Sequence, residues 1–122
     1  MPRLFETTRI KSMVMANRLV RSATWTGLAT PHGSCTAALT RAMLELVEGG
    51  AGLVITGHAY IHRNGKAGPA QLGIYSEDLV PGLRELTSAV HDKGGVIALQ
   101  IAHAGLHADT ISPACRRSPR RS

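Results

Sequence analysis

The sequence has few aromatic residues, few cysteines and no long apolar run. Aromatic residues make up 3% of the 122 residues, and the two cysteines, Cys35 and Cys115, stand far apart. Two isolated cysteines exclude a disulfide framework or a zinc site built from cysteine pairs, and they are typical of a reducing compartment. No apolar run approaches the roughly 18 residues that a membrane-spanning helix requires, and the N-terminus lacks the apolar core of a signal peptide. We therefore expect a cytoplasmic protein that does not bind a membrane.

Positive charge is concentrated at the end of the chain. The formal net charge is +6, and four of the 14 basic residues are Arg116, Arg117, Arg120 and Arg121. An arginine-rich segment can bind polyanions, but no aromatic residue stands beside this one on which bases could stack. We therefore expect no nucleic-acid partner, and we separate residues 109–122 as a basic tail rich in serine, arginine and proline.

Two segments, residues 50–58 and residues 94–103, share one pattern. Each begins with glycines, continues as a short apolar run and ends in polar residues. The polar residues at the two ends are Thr56, His58, Gln100 and His103. Short apolar runs of this kind are typical of strands buried on both faces of a parallel sheet, whose carboxyl ends carry the chemistry of α/β folds.

Two amphipathic helix patterns accompany these runs. Residues 36–48 carry apolar residues at helical spacing and are followed by a glycine pair, which favours a helix end. The second pattern follows Ser76, a residue type that favours the start of a helix, and it also ends at a glycine pair. Its apolar positions are Leu79, Leu83, Leu86 and Val90. A helix between two buried strands predicts a β-α-β unit.

The complete order is hairpin, strand, helix, strand, helix, strand. Residues 8–15 are predicted to form the hairpin, and residues 19–23 the first strand of the sheet. Three parallel strands leave two open edges, whereas a barrel of eight β/α units has none and needs about 250 residues. We therefore predict an α/β fold in which residues 1–108 form the hairpin and about the first three units of a TIM (β/α)8 barrel.

The connection after the second strand, residues 57–75, is long for a compact domain and rich in glycine. Connections of this length are usually functional. Two basic residues within it, Arg63 and Lys66, could meet a phosphate, although we expect both to be solvated.

Six short motifs, taken in order, resemble the amino-terminal part of the Old Yellow Enzyme family. They are residues 4–6, 17–20, 49–56, 72–76, 90–95 and 100–105, and the resemblance covers residues 4–108. Members of this family are FMN-dependent NAD(P)H:flavin oxidoreductases and ene-reductases. The resemblance therefore implies FMN as the cofactor and NAD(P)H as the reductant. It also implies hydride transfer to a small-molecule substrate, an activated alkene or similar acceptor.

The resemblance also implies which residues contact the flavin. They follow three strands and are Ser22, Ala23, Thr24 and Trp25, then Gly57 and His58, then Gln100. A side-chain amide offers a donor and an acceptor to the pyrimidine edge of the flavin, and a glycine lets the backbone approach a flat ring. Trp25 stands where many members have a threonine or cysteine that hydrogen-bonds the flavin, and His58 stands where a small residue is usual.

No catalytic residue is predicted. The family's substrate-binding His-His or His-Asn pair, its proton-donating tyrosine and the phosphate-binding loops of its last strands have no counterpart in the sequence. We therefore expect this chain alone to be inactive and to hold FMN only weakly. We also expect it to self-associate through its open sheet edges and apolar helix faces.

Two other classes of function stay open. One is a non-catalytic binding module whose basic tail recruits a polyanion, and the other is a metal-dependent barrel hydrolase. His103 and His107 have the spacing of metal ligands on one face of a helix, but Gly105 lies between them and no third ligand is evident. We therefore predict no metal site.

Overall fold

The computed structural model describes residues 3–108 of the chain. The predicted tail, residues 109–122, lies outside the described residues. The strands are β1 (Thr8–Ile10), β2 (Met13–Met15), β3 (Val20–Arg21), β4 (Leu53–Ile55), β5 (Ala59–Tyr60), β6 (Ile97–Ala98) and β7 (Ile101–Ala102). The helices are α1 (Ala37–Glu48) and α2 (Val80–Asp92), with short 3-10 helices at Arg3–Phe5, Arg63–Gly65, Glu77–Leu79 and Gly105–His107.

The predicted N-terminal hairpin is confirmed. β1 and β2 pair antiparallel, with Thr8 opposite Met15 and Ile10 opposite Met13. The turn places Lys11 at a φ of 51°, a left-handed conformation that tight hairpin turns require. The hairpin is tied to the rest of the chain because Arg18 Nε donates to the Thr8 hydroxyl at 2.8 Å.

The predicted parallel sheet is also confirmed. β3, β4 and β6 lie side by side in that order, and both pairings are parallel. In register, Val54 lies opposite Arg21 on one side and Ile97 on the other. A second parallel pair, β5 with β7, continues the line of β4 and β6 beyond a break.

The strands are shorter than the sequence predicts. The first strand was expected over residues 19–23 but spans only Val20–Arg21. The third was expected as one run, yet it is divided into β6 and β7 at Leu99 and Gln100. The division arises because the Thr56 hydroxyl, rather than a backbone carbonyl, accepts the hydrogen bond from the Gln100 N–H.

α1 begins and ends close to its predicted bounds, and α2 ends close to its own. The Thr36 hydroxyl accepts from the Leu39 N–H at 3.1 Å, which caps the start of α1. α1 ends where Gly50 takes a φ of 100°. Before α2, however, Ser76 makes no side-chain capping hydrogen bond, and the 3-10 turn Glu77–Leu79 leads into a helix that begins at Val80. Pro81 lies in its first turn, where a missing N–H is tolerated.

The hydrophobic core lies between the sheet and the two helices. Its buried residues are Ala29, Leu39, Met43, Val54, Ala59, Leu72, Leu86 and Val90. Burial of these side chains is the main driving force that holds α1 and α2 against one face of the sheet. No helix among residues 3–108 is both long enough and apolar enough to cross a membrane.

Candidate functional site

The carboxyl ends of β3, β4 and β6 meet at one edge of the sheet. Parallel pairing of the three strands places Ser22, Thr56 and Leu99 there as the first residues beyond each strand. This is the edge at which α/β folds bind ligands. The sequence predicted the same convergence, and we call the edge the carboxyl edge below.

The segment after β3 packs directly on the backbone of Gly57. A Cβ atom built on Gly57 would lie 2.8 Å from the carbonyl oxygen of Thr24, so no larger residue fits without a shift of the backbone. The Thr24 hydroxyl donates to the Ser22 carbonyl at 3.2 Å, which turns the segment within itself. The side chains of Ser22, Thr24 and Trp25 are exposed, while Ala23 is half-buried. Because Gly57 has no side chain, the segment after β3 can contact its backbone. Two of the predicted flavin-contacting segments therefore lie side by side.

Gln100 is held by its backbone and leaves its side chain exposed. Its N–H donates to the Thr56 hydroxyl at 3.3 Å, and its carbonyl accepts from the Ala59 N–H at 2.8 Å. The same Thr56 hydroxyl donates to the Gly57 carbonyl at 2.9 Å, and Thr56 is only 2% exposed. One buried hydroxyl therefore links the ends of β4 and β6 and fixes the backbone beside two predicted flavin contacts.

His58 is bound by Gln71, a residue that the sequence analysis did not single out. Gln71 is 1% exposed, and its side-chain oxygen accepts from the Ala67 N–H at 2.6 Å. Its side-chain nitrogen lies 3.2 Å from both the carbonyl oxygen and Nδ1 of His58. Because that nitrogen can only donate, Nδ1 accepts, and a neutral His58 carries its proton on Nε2.

Trp25 and His58 border one narrow cleft. The cleft has a volume of only about 10 Å³, and Leu39, Gly57 and Leu72 complete much of its wall. Trp25 itself is 55% exposed, so most of the indole faces outward.

The sequence did not predict the contact between Gln71 and His58. Gln71 is a polar residue in a glycine-rich loop, and no sequence pattern marks it as the residue that orients His58.

The long connection after β4 folds around two stacked tyrosines. The rings of Tyr60 and Tyr75 lie 5.0 Å apart at an interplanar angle of 22°. Burial, and then the hydrogen bond and proximity of Tyr75, raise the pKa of the Tyr60 hydroxyl far above its usual value, against a smaller opposing effect of Arg63. Lys66, which was predicted to be solvated, instead donates to the Pro31 carbonyl at 2.7 Å and lies over the Tyr60 ring.

Comparison with known proteins identifies the family of this chain. The family model of the NADH:flavin oxidoreductase / NADH oxidase family matches residues 3–120. The chain belongs to this family, and the predicted relationship to the Old Yellow Enzymes is confirmed. FMN with NAD(P)H as the reductant is the cofactor set that the family supports. The match reaches residue 120, into the segment that we separated at 109, and the division at residue 108 stays a prediction.

Two curated relatives share about a third of their residues with this chain. It is 35% identical over 125 residues to the 4,4'-dithiodibutanoate disulfide reductase of Rhodococcus erythropolis, an alignment that covers 97% of this chain and 30% of that protein. It is also 35% identical over 105 residues to the NADH oxidase of Thermoanaerobacter brockii, covering 85% of this chain and 16% of that protein. The chain thus spans a third or less of the length of these relatives.

A solved structure confirms the fold. The Old Yellow Enzyme homologue of Zymomonas mobilis superposes with a TM-score of 0.78 at 30% identity, over 84% of this chain and 28% of that chain. The strands and helices described above are therefore part of a TIM barrel, as the sequence predicted. The seven residues predicted to contact FMN stay predictions.

Proposed function

We propose that this chain supplies the first part of an FMN-binding barrel. In the whole enzyme, FMN held by this barrel would supply the transfer of hydride from NAD(P)H to an activated alkene or similar small-molecule acceptor. The observation that carries the proposal is the convergence of Ser22–Trp25, Gly57 and Gln100 at the carboxyl edge, in a chain of the flavin oxidoreductase family.

The residues at this edge suit the isoalloxazine ring of FMN. The exposed amide of Gln100 offers both a donor and an acceptor, the combination that matches the pyrimidine edge of a flavin. Thr24 packs closely on the Gly57 backbone, and the Ser22 and Thr24 side chains are exposed beside it. When bound, FMN supplies the hydride chemistry, while the protein positions the ring and sets its surroundings.

Trp25 places an indole at the carboxyl edge, where many members of the family have a threonine or cysteine. An indole donates one hydrogen bond and accepts none, and it is much larger than a threonine or cysteine. Its exposed face can cover an aromatic ring by stacking, which an alcohol or thiol cannot do. We propose that Trp25 contacts the flavin by ring packing rather than by tuning a carbonyl oxygen through a hydrogen bond.

His58 contributes to the same edge through its backbone. Its ring is engaged by the buried Gln71 and borders the cleft next to Leu39, so its imidazole is fixed before any ligand binds. We propose that Gln71 and His58 together hold the chain after Gly57 in place, so that the Gly57 backbone stays close to the ring. His58 therefore stays a predicted flavin contact, made through its backbone.

The described residues form only one side of a flavin pocket. Within residues 3–108, β3 pairs with no strand except β4, and β6 with no strand except β4. We propose that this chain alone binds a flavin weakly, shows no NAD(P)H-dependent reductase activity and self-associates through these edges. Its cytoplasmic location also stays a proposal, based on its cysteine usage.

Equilibrium dialysis of the purified chain against riboflavin and against FMN tests this proposal. If only the isoalloxazine side is present, the carboxyl edge holds the two ligands equally weakly, because the FMN phosphate gains no contact there. The dialysis is run with excess inorganic phosphate, which keeps the FMN phosphate from binding elsewhere on the chain. NADPH oxidation in the presence of excess FMN stays at the level without protein. Tight FMN binding with turnover would contradict the proposed weak pocket, and the absence of any saturable riboflavin binding would contradict the site itself.

A further inference from the structure

A second pocket lies apart from the carboxyl edge. It has a volume of about 220 Å³ and is bounded by the loop of residues 32–34, by Arg63 and by the chain near Tyr75–Leu79. The polar side chains that line it are His32, Ser34, Arg63, Ser76 and Asp78, with Tyr75 as one wall. None of these residues is among the seven predicted to contact FMN, so the pocket needs a separate explanation.

The walls of this pocket are fixed without a ligand. The Tyr75 hydroxyl donates to the His32 carbonyl at 2.8 Å, which joins the two loops across the pocket. The Tyr60 ring stacks on Tyr75 from behind, and Lys66 Nζ bonds the Pro31 carbonyl at 2.7 Å. Because these contacts already order both loops, a ligand would not have to supply the free energy of ordering them.

Arg63 provides the positive charge of the pocket. Its guanidinium carbon lies 5.2 Å from the centre of the Tyr75 ring, a cation–π distance that orients the group. Within residues 3–108 no carboxylate forms an ion pair with Arg63, and the ion pair that is present joins Lys93 to Glu48. A guanidinium oriented in this way presents a planar set of donors, which matches phosphate oxygens better than an ammonium does.

The neutral residues of the pocket add donors, and Asp78 restricts the ligand. Ser34 and Ser76 line the pocket, and Ser76 makes no capping hydrogen bond to the helix that follows it. Asp78 is a carboxylate and accepts hydrogen bonds only, so it disfavours a bare dianion but suits a ligand hydroxyl. A phosphate group and a neighbouring hydroxyl together satisfy both halves of the lining.

We propose that this pocket binds a phosphate monoester that carries a sugar hydroxyl group near the phosphate, with Arg63 on the phosphate and Asp78 on the hydroxyl. Such a phosphate could belong to a free sugar phosphate or to a nucleotide. Both share the chemistry that the pocket recognises, and the pocket does not depend on the flavin edge for any of its residues.

Calorimetric titration of the full chain at constant ionic strength tests the proposal. The probes are ribose 5-phosphate, adenosine 5'-monophosphate and inorganic phosphate. We expect saturable binding of at least one phosphate monoester, with a lower affinity for inorganic phosphate. If adenosine 5'-monophosphate binds more tightly than ribose 5-phosphate, a nucleotide is the preferred ligand, and the reverse order identifies a sugar phosphate.

Variants separate a specific site from general positive charge. Arg63→Gln is expected to weaken binding by about tenfold or more, because a charge-assisted contact is lost. Arg9→Gln removes the same charge from the exposed strand β1 and should leave the affinity within about twofold. Equal effects of the two substitutions would overturn the proposal. Circular dichroism of both variants shows whether either one fails to fold.

Asp78→Asn gives an independent test that keeps the pocket shape. It is expected to raise the affinity for inorganic phosphate and to narrow the difference between inorganic phosphate and ribose 5-phosphate. An unchanged preference between the two ligands would overturn the role of the carboxylate. Riboflavin binding at the carboxyl edge should be unaffected by Arg63→Gln, so failure of this pocket and failure of the proposed flavin site are distinguishable.

Discussion

The hydroxyl of Thr56 and the backbone of Gln100 are joined across two neighbouring strand ends. The hydroxyl accepts from the Gln100 N–H at 3.3 Å and donates to the Gly57 carbonyl at 2.9 Å. The Thr56 hydroxyl thereby takes the place of a backbone carbonyl in the hydrogen bonding between the strands, at the point where the third strand is divided into β6 and β7. A side chain thus sets the position of the backbone from which the Gln100 amide extends.

Replacing Thr56 by valine should lower the free energy of unfolding by about 1–3 kcal/mol, because the substitution leaves the part-buried N–H of Gln100 without an acceptor. Denaturant unfolding of the variant measures this change. Thr7→Val, at an exposed position, is the matched control and should change stability by less than about 0.5 kcal/mol. Equal effects at the two threonines would contradict the linking role of Thr56.

Replacing Gln71 by methionine should destabilise the fold and release His58. The variant leaves the Ala67 N–H and His58 Nδ1 without their partner, at a cost of about 1–3 kcal/mol. Nitrogen NMR should show Nε2–H alone in the neutral parent protein and a mixture of tautomers in the variant. Gln100→Met alters an exposed glutamine and is the control. An unaltered tautomer in the Gln71 variant would show that Gln71 does not fix His58.

Replacing Gly57 by alanine should push the segment after β3 away from the sheet. The new methyl group would lie 2.8 Å from the Thr24 carbonyl oxygen, and overpacking of this kind typically costs about 1–3 kcal/mol. Gly68→Ala is the matched control, because its Cβ would meet only the Trp25 ring at 3.9 Å. We expect weaker riboflavin binding in the first variant alone. Wild-type stability and affinity in both variants would contradict the close approach.

The raised pKa of Tyr60 predicts that the folded chain loses stability at high pH. Its pKa is raised from 10.0, so the folded chain keeps this proton to a higher pH than the unfolded chain does. The stabilisation is therefore complete below about pH 10 and is lost as the pH rises towards the folded-state pKa. The melting temperature should fall above pH 10 in the wild-type chain and fall less steeply in Tyr60→Phe. Parallel declines in the two proteins would show that another group is responsible.

The order of elements could be predicted from the sequence because each one is written in a local pattern. The apolar spacing of Leu79, Leu83, Leu86 and Val90 indicated α2, and the glycine pairs marked the helix ends. The exact start of α2 could not be predicted, since Ser76 has the right chemistry for a cap but makes no capping bond. The preference of serine for the start of a helix does not show whether a backbone N–H lies within reach of its hydroxyl in the folded chain.

The candidate site could be predicted only in part. The convergence of strand ends follows from parallel pairing, so the positions of Thr56 and Gln100 were foreseeable. The contact between Gln71 and His58 was not, because it joins residues 13 positions apart through a loop without periodicity. The stack of Tyr60 on Tyr75 likewise depends on how the long connection folds back on itself.

The central claim is that a flavin ring lies against the carboxyl edge, and Trp25 allows it to be measured directly. Trp25 is the only tryptophan of the chain, and it belongs to the segment predicted to contact the ring. Titration with riboflavin should quench its fluorescence along a saturable curve, and Gln100→Ala should shift that curve to higher riboflavin concentration without changing the melting temperature. Fluorescence that falls only in proportion to absorbance, or a Gln100→Ala curve identical to that of the wild-type chain, would contradict the account.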